Sequence, residues 1–216
     1  MKEAVSFLRA NTAIARAPLV PEIALHLATE ITPIWEATEA WLEREGVAPP
    51  FWAFAWPGSV AVARLILDRP ALVAGKRVLD FAAGCGLAAI AAARAGAALV
   101  EAAEIDPLAI AAIRSNAALN GVAVAALAED LVGQPCRWDR VIAGDVCYEA
   151  PMAARILPWL RDLAAAGAEV WLADPGRAYV PSSGLQPVAR VSVPVTRELE
   201  DRDLREVTVS RLLPLP

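Results

Sequence analysis

A short apolar run, Arg77 to Phe81, leads straight into five small residues, Ala82-Ala83-Gly84-Cys85-Gly86, and the chain continues as an alanine-rich segment from Leu87 to Ala95. This strand, turn and helix constrain the fold more than any other segment. A turn so tight needs residues that tolerate positive φ and let the backbone come close to a neighbour. The alternation then repeats. Ala98 to Ile105 reads as a strand, Pro107 to Asn120 as a helix closed by Asn120-Gly121, and Val122 to Ala128 as a third strand. Asp139 to Ala143 follows as a fourth strand, a helix runs from about Pro151 to Ala166, and Glu169 to Ala173 is a fifth strand. Strands alternating with helices predict a parallel sheet of right-handed βαβ units, an α/β fold. The tail differs: Val188 to Val195 and Arg205 to Leu212 alternate with period two around the charged stretch Arg197 to Asp203, which predicts an antiparallel hairpin.

Ahead of this pattern the chain reads as helices separated by prolines. Met1 to Arg16 is amphipathic, with Phe7, Leu8 and Ile14 on the packed face. Pro21 opens a helix over Glu22 to Ile31, and Pro33 another carrying Trp35, Thr38, Trp41 and Leu42, stopped by Gly46 and Pro49-Pro50. Gly58 to Leu67 is a further helix, ended by Pro70. The organisation expected is an N-terminal helical extension over 1–57 and a main domain over 58–216.

Composition removes several classes of function. The chain is 57% hydrophobic, but 48 of its 216 residues are alanine, so bulk hydrophobicity is not a membrane signal. The longest apolar run, around Gly84 to Val100, is broken by Arg94, and a spanning helix needs about 20 apolar residues. A charged fraction of 21% beside so much apolar residue argues against disorder. A net charge of −5 argues against a nucleic-acid partner. Three cysteines in no metal-like spacing, with no uninterrupted apolar leader, point to free thiols in a reducing, cytoplasmic setting, and a monomer is expected. One histidine, His26, supports neither a zinc triad nor a serine–histidine relay and reads as structural.

The turn carries the chemistry. Gly84 to Ala89 fits G-x-G-x-x-A, so a dinucleotide site comes into question. Glu104 lies twenty residues beyond Gly84 at the end of the second strand, where a ribose-binding acid belongs in either case. Asp80 separates the readings: a carboxylate ending the first strand would repel a pyrophosphate, whereas it suits a ligand with a cationic amino group and no phosphate. S-adenosylmethionine is such a ligand.

On these residues the sequence resembles the seven-strand S-adenosylmethionine-dependent methyltransferases over Lys76 to Pro175, and the terminal hairpin suits that fold's reversed last strand. The resemblance implies a Rossmann-like, seven-stranded, mostly parallel sheet with helices on both faces. It implies that the loop Asp80 to Gly86, with Ala82, Gly84 and Gly86, cradles the methionine part. Glu104 would hold the ribose hydroxyls, with Asp106 as neighbour, and Asp130 would approach the adenine. Ala82 departs from the family, which commonly has glycine there.

Two segments narrow the resemblance. Asp145-Val-Cys-Tyr148 matches the D-x-x-Y signature of a lysine-directed branch, and Pro50-Phe-Trp-Ala-Phe-Ala-Trp-Pro-Gly58 is similar to the aromatic segment that precedes the domain there. With Pro21-Glu-Ile23 and Trp35-Glu-Ala-Thr-Glu39, the pattern is most similar to the electron-transfer-flavoprotein β-subunit lysine methyltransferases and their bacterial relatives. Gly58-Ser59 stands where Gly-Gly is expected. The resemblance implies methylation of protein lysines, with that flavoprotein subunit as first-choice substrate. Ribosomal-protein and nicotinamide-type N-methyltransferases are alternatives, and a non-catalytic or NAD-type module is the alternative of another class.

Physical chemistry gives these residues tasks. Methyl transfer from a sulfonium is an in-line displacement, so positioning is the main contribution. A lysine acceptor must first lose a proton, at a cost of roughly 4–5 kcal/mol at neutral pH. Asp145 suits an anchor for the amine and Tyr148 an orienting group; anchor is favoured over base, and a helix N-cap is the plain alternative for Asp145. Trp52, Phe54 and Trp56 either line the acceptor entrance, where aromatic faces hold cations, or pack as core. Trp56, beside Pro57-Gly58, is the better site candidate, and it is expected in the cofactor pocket. Arg177 and Tyr179 either contact substrate or satisfy a loop, and the run Glu198, Glu200, Asp201, Asp203 reads as a solvated hairpin tip. Cys85 has no basic neighbour to activate it.

Overall fold

The computed structural model describes residues 2–28, 50–196 and 200–214. The main sheet has seven strands: β3 (Arg77–Phe81), β4 (Leu99–Ala103), β5 (Ala125–Leu127), β6 (Arg140–Gly144), β7 (Glu169–Asp174), β8 (Leu185–Pro194) and β9 (Leu204–Leu212). They lie in the order β5-β4-β3-β6-β7-β9-β8. β3 to β7 pair in parallel, and β9 runs antiparallel between β7 and β8. The expected mixed sheet with one reversed strand is therefore present, with the last strand inserted rather than added at the edge. β8 starts earlier than predicted and carries a register shift between Pro187 and Ala189. β5 is shorter than predicted.

Helices cover both faces. On one side α2 (Pro57–Asp68), α3 (Leu87–Arg94) and α4 (Pro107–Leu119) bury Val60, Ile66, Ile90 and Ile113 against Val78, Val100, Ile142, Trp171 and Val209. On the other, α5 (Ala150–Ala165) buries Ile156, Trp159, Leu160 and Leu163 against Leu79, Phe81, Val141, Val170 and Leu172. β3 is buried on both faces after its first residue, which is why it reads as a continuous apolar run. The alanines of α3 are structural: Ala88, Ala89, Ala91 and Ala92 have no exposure, and their small side chains let α3 pack closely beside α2 on the sheet. Among the described residues no helix is long and apolar enough to cross a membrane.

The N-terminal segment differs from expectation. α1 (Lys2–Asn11) forms and packs Leu8 with Trp52, Ala109 and Ala112. Ile14, expected on the packed face, is 61% exposed. The helix predicted over Glu22 to Ile31 is absent over the described part of that range: β2 (Leu25–Leu27) pairs antiparallel with β1 (Ala13–Ala15). Tertiary bonding overrides the helical spacing here. Asn120 Oδ1 accepts from the Ala24 N–H at 3.1 Å, Asn120 Nδ2 donates to the Ala24 carbonyl at 2.6 Å, and Asn116 Oδ1 accepts from the His26 N–H at 2.7 Å. These bonds use backbone groups that a helix would have closed on itself. His26 sits in this hairpin, paired with Ile14. The helix expected after Pro33, with Trp35, Trp41 and the Trp35–Glu39 motif, lies outside the described residues.

Candidate active site at the carboxyl edge of the sheet

The parallel pairing sets the ends of β3, β4, β6 and β7 side by side, so Asp80, Glu104, Asp145 and Asp174 come to one edge. That edge is where open α/β sheets take ligands. The turn after β3 has left-handed backbone at Ala82 (φ 54°), Gly84 (φ 53°) and Gly86 (φ 79°). Alanine at the first of these carries a strain glycine avoids. Gly86 begins α3, and a Cβ there would come within 3.2 Å of Ile113 Cγ1, so the turn also needs glycine for close helix packing.

The acids are held by backbone donors. Asp80, 2% exposed, accepts from the Ala89 N–H at 2.9 Å in the first turn of α3. Burial pushes its carboxyl up to about 8. Glu104 Oε1 accepts from the Gly84 N–H at 2.9 Å and its Oε2 from the Ile105 N–H at 3.1 Å; burial raises its pKa too. Asp106 accepts from the Leu108 N–H at 2.7 Å, so it is the N-cap of α4. Asp130 is exposed beyond β5, accepts from the Val132 N–H and pairs with Arg155, which holds its carboxyl below the usual range. Cys85 is buried and its thiol is pushed up to about 12 by desolvation.

Asp145 is 8% exposed and has φ 56°, a conformation rare for a residue with a side chain. Its Oδ2 accepts from the Gly58 N–H at 2.5 Å, in the first turn of α2. An N-cap role is thus real, but for a helix 87 residues away in sequence, not the one that follows Asp145. Gly58 has to be glycine: a Cβ there would sit 2.5 Å from Asp145 Oδ2 and 2.6 Å from the Ala173 carbonyl. Asp145 Oδ1 lies 3.3 Å from Arg177 Nη2. Burial dominates and lifts the Asp145 carboxyl to about 7, against the pull of Arg177.

An aromatic wall stands beside it. Phe51 meets Trp56 edge-on with centroids 5.8 Å apart and Tyr148 at 5.5 Å, and Phe54 meets Trp56 at 6.1 Å. Trp56 Nε1 donates to the Phe51 carbonyl at 2.7 Å, which folds the segment over the turn. A Cβ on Gly84 would lie 4.0 Å from the Phe51 carbonyl oxygen, so this wall also adjoins the glycine turn. Tyr148 is 36% exposed, and its pKa is raised by desolvation, then by Glu149 and Glu104. Trp52 points elsewhere: it is 1% exposed and packs with α1 and α4.

The 3₁₀ turn over Phe51–Ala53 decides between the two alternatives for Trp52, which is core, and the residue that joins the glycine turn and the D-x-x-Y motif is Phe51, to which sequence reasoning assigned no task. Glu200 is not solvated: it is 4% exposed and binds Arg177 Nη2 at 2.5 Å and Arg205 Nε at 2.7 Å. The signal available for it was the arginine interleaving of the tip. Asn116 was missed as well; it has no exposure and donates to the Cys85 carbonyl at 2.9 Å, tying the turn to the N-terminal hairpin.

A family model described as ribosomal protein L11 methyltransferase matches residues 65–146, the span from α2 through Asp145. Relatives matched over most of the chain decide the matter. The electron transfer flavoprotein β-subunit lysine methyltransferase of Xenopus laevis is 39% identical over 212 residues, covering 94% of this chain and 85% of the relative. The chain belongs to this methyltransferase family. A second member, from Danio rerio, is 38% identical over 80% of this chain and 67% of its own length. Among solved structures, a putative RNA methyltransferase from Pyrococcus horikoshii aligns with a TM-score of 0.58 at 17% identity, covering 78% of this chain and 91% of that one. At that identity it speaks for the fold alone, which is the methyltransferase sheet of this family.

Proposed function

We propose that the protein is an S-adenosylmethionine-dependent protein-lysine N-methyltransferase whose first-choice substrate is the electron transfer flavoprotein β subunit. The observation that carries the reading is Asp145: a buried carboxylate in strained backbone, fixed by Gly58 and set between the glycine turn and an aromatic wall. Strained backbone at a pocket edge marks residues held for function.

The donor chemistry fits the cofactor. Asp80 and Glu104 are pushed toward neutrality by burial with no cation beside them among the described residues, and a ligand bearing an ammonium and a sulfonium supplies the missing positive charge. Asp80 would face the amino group, Ala82, Gly84 and Gly86 would give their backbone to the methionine part, and Glu104 would take the ribose hydroxyls. Trp56 would close the pocket beside the turn, and Asp130 would stand toward the adenine. Asp106 supports from behind, by capping α4. The bound cofactor supplies an activated methyl group on sulfur.

The chain's own residues supply position. Phe51, Trp56 and Tyr148 offer aromatic faces that hold a cationic amine at the entrance. Asp145 then accepts a hydrogen bond from that amine and Tyr148 orients it. Both Asp145 oxygens already have partners, which suits an anchor more than a group that carries the proton away. Cys85, Cys136 and Cys147 are all unpaired, which supports a reducing compartment such as the cytoplasm.

The test is transfer of labelled methyl from S-adenosylmethionine to the host's purified electron transfer flavoprotein β subunit. Label should enter lysine of that subunit, and Asp145→Ala should abolish transfer while S-adenosylhomocysteine still binds. Only Lys2 and Lys76 are available for self-labelling. Label found only in small molecules, or undiminished transfer by the variant, would sink the reading.

A further inference from the structure

Arg177 and Glu200 have no task in the steps above, yet they are built in at some cost. Glu200 lies in the β8–β9 connection, where acids usually face water, and it is 4% exposed. It grips Arg177 Nη2 at 2.5 Å and Arg205 through Nε at 2.7 Å and Nη2 to its backbone carbonyl at 3.1 Å. Arg177 in turn reaches Asp145 Oδ1 at 3.3 Å, while its guanidinium stands 5.9 Å from the Trp56 ring centroid. Its Nε is buried with no hydrogen-bond partner among the described residues. The guanidinium is therefore oriented toward the two carboxylates at the expense of one of its own donors. The Arg177 N–H also donates to Asp174 Oδ1 at 2.6 Å, which pins the base of the side chain at the end of β7.

An anchor of one negative charge works against the reaction it serves. A carboxylate beside an ammonium stabilises the charged, non-nucleophilic form of the amine. A cation fixed on the same carboxylate cancels that effect and leaves the hydrogen bond. We propose that Arg177, held by Glu200, is a positioning residue that offsets the charge of Asp145, so that the acceptor amine docks on Asp145 and still releases its proton. The inference rests on the reading of Asp145 as the amine anchor.

The groups around Asp145 define the balance. α2 presents the Gly58 N–H, β7 presents Asp174, the 175–184 connection presents Arg177, and Cys147 lies two residues on. Glu200 and Arg205 act one contact further out. Asp174 and the Cys147 thiol are pushed toward neutrality by burial, so Arg177 is the cation that meets Asp145 directly. Without it no cation among the described residues would meet Asp145 directly.

The test is the pH profile of methyl transfer to the protein substrate, with S-adenosylhomocysteine affinity measured alongside as the check on folding. In Arg177→Gln the rising limb should move toward alkaline pH by about one unit, so that a roughly tenfold deficit near neutrality closes as pH rises. Arg177→Lys, which keeps the charge, should hold the parent limb even if its maximum rate falls. In Arg177→Ala, added methylguanidine should restore rate near neutrality and do little at alkaline pH. A deficit equal at every pH, or a lysine variant whose limb shifts like that of glutamine, overturns the proposal. Asp145→Asn separates the two layers: if it transfers methyl like the parent, the anchor reading itself has failed, whereas an inactive Asp145→Asn with an unshifted Arg177→Gln refutes the role of Arg177 alone.

Discussion

Replacing Asp80 with asparagine should make the protein more stable and less able to bind its cofactor. The side chain is 2% exposed and accepts the Ala89 N–H at 2.9 Å. An asparagine carbonyl oxygen accepts the same bond, so the start of α3 keeps its cap. Charge is what changes. Burial places the folded carboxyl at about 8, against an ordinary 3.8. Between those values the folded protein keeps a proton that the unfolded chain has released, so rising pH lowers stability by about 1.4 kcal/mol per unit. Asparagine does not titrate. The advantage of the variant over the parent should therefore grow by about 3 kcal/mol from pH 5 to pH 7. Urea unfolding at a series of pH values measures it, with the buried Trp138, Trp159 and Trp171 as fluorescent reporters. An advantage that stays flat with pH, or a variant weaker than the parent at neutrality, would refute the idea of a desolvated acid kept for a ligand. In the same samples S-adenosylhomocysteine affinity should drop, because its ammonium loses a counter-charge. Stability and binding moving in opposite directions is the behaviour of a residue retained for function.

Other changes probe separate contacts. Gly58→Ala drives a methyl group into Asp145 Oδ2 and the Ala173 carbonyl, so thermal unfolding should shift down by about 1–3 kcal/mol and methyl transfer should fall further than cofactor affinity. Ala82→Gly removes a side chain from backbone at φ 54°, and chemical denaturation should show a gain of about 0.5–1 kcal/mol. Asn116→Ala strands the Cys85 carbonyl and the His26 N–H, both bonded to a side chain with no exposure. It should cost about 2–3 kcal/mol and speed amide exchange in both the turn and β2. S-adenosylhomocysteine affinity in the parent should weaken as pH falls through the Asp80 range, with calorimetric heats that depend on buffer because binding releases a proton.

The parts of this molecule that could be read from the sequence are those set by neighbours in the chain. β3, its turn and α3 follow from a local pattern of apolar, small and helical residues, and the acids at strand ends follow from their place in it. What escaped reading depends on distant partners. β2 owes its form to Asn116 and Asn120, some ninety residues on. Glu200 reads as a solvated acid in the sequence because its burial depends on Arg177 and Arg205, brought near by the return of β9 into the sheet. The aromatic segment announced a site without saying which ring would face it. Alternation there is irregular, since a 3₁₀ turn over Phe51–Ala53 sends Trp52 inward and leaves Phe51 on Tyr148.

The position of β9 bears on how the protein is made. β7 finds one of its neighbours only when the chain through Leu212 is available, because the last strand of the sheet lies inside it. A nascent chain halted before Leu204 has every parallel strand and every residue of the glycine turn, yet it presents an open β7 edge, the kind of surface that recruits other chains. Glu200 would then lack Arg205, the second arginine that holds it in place against Arg177. The strand that protects the sheet from aggregation is thus also the strand that carries Arg205 to Glu200 beside the candidate site.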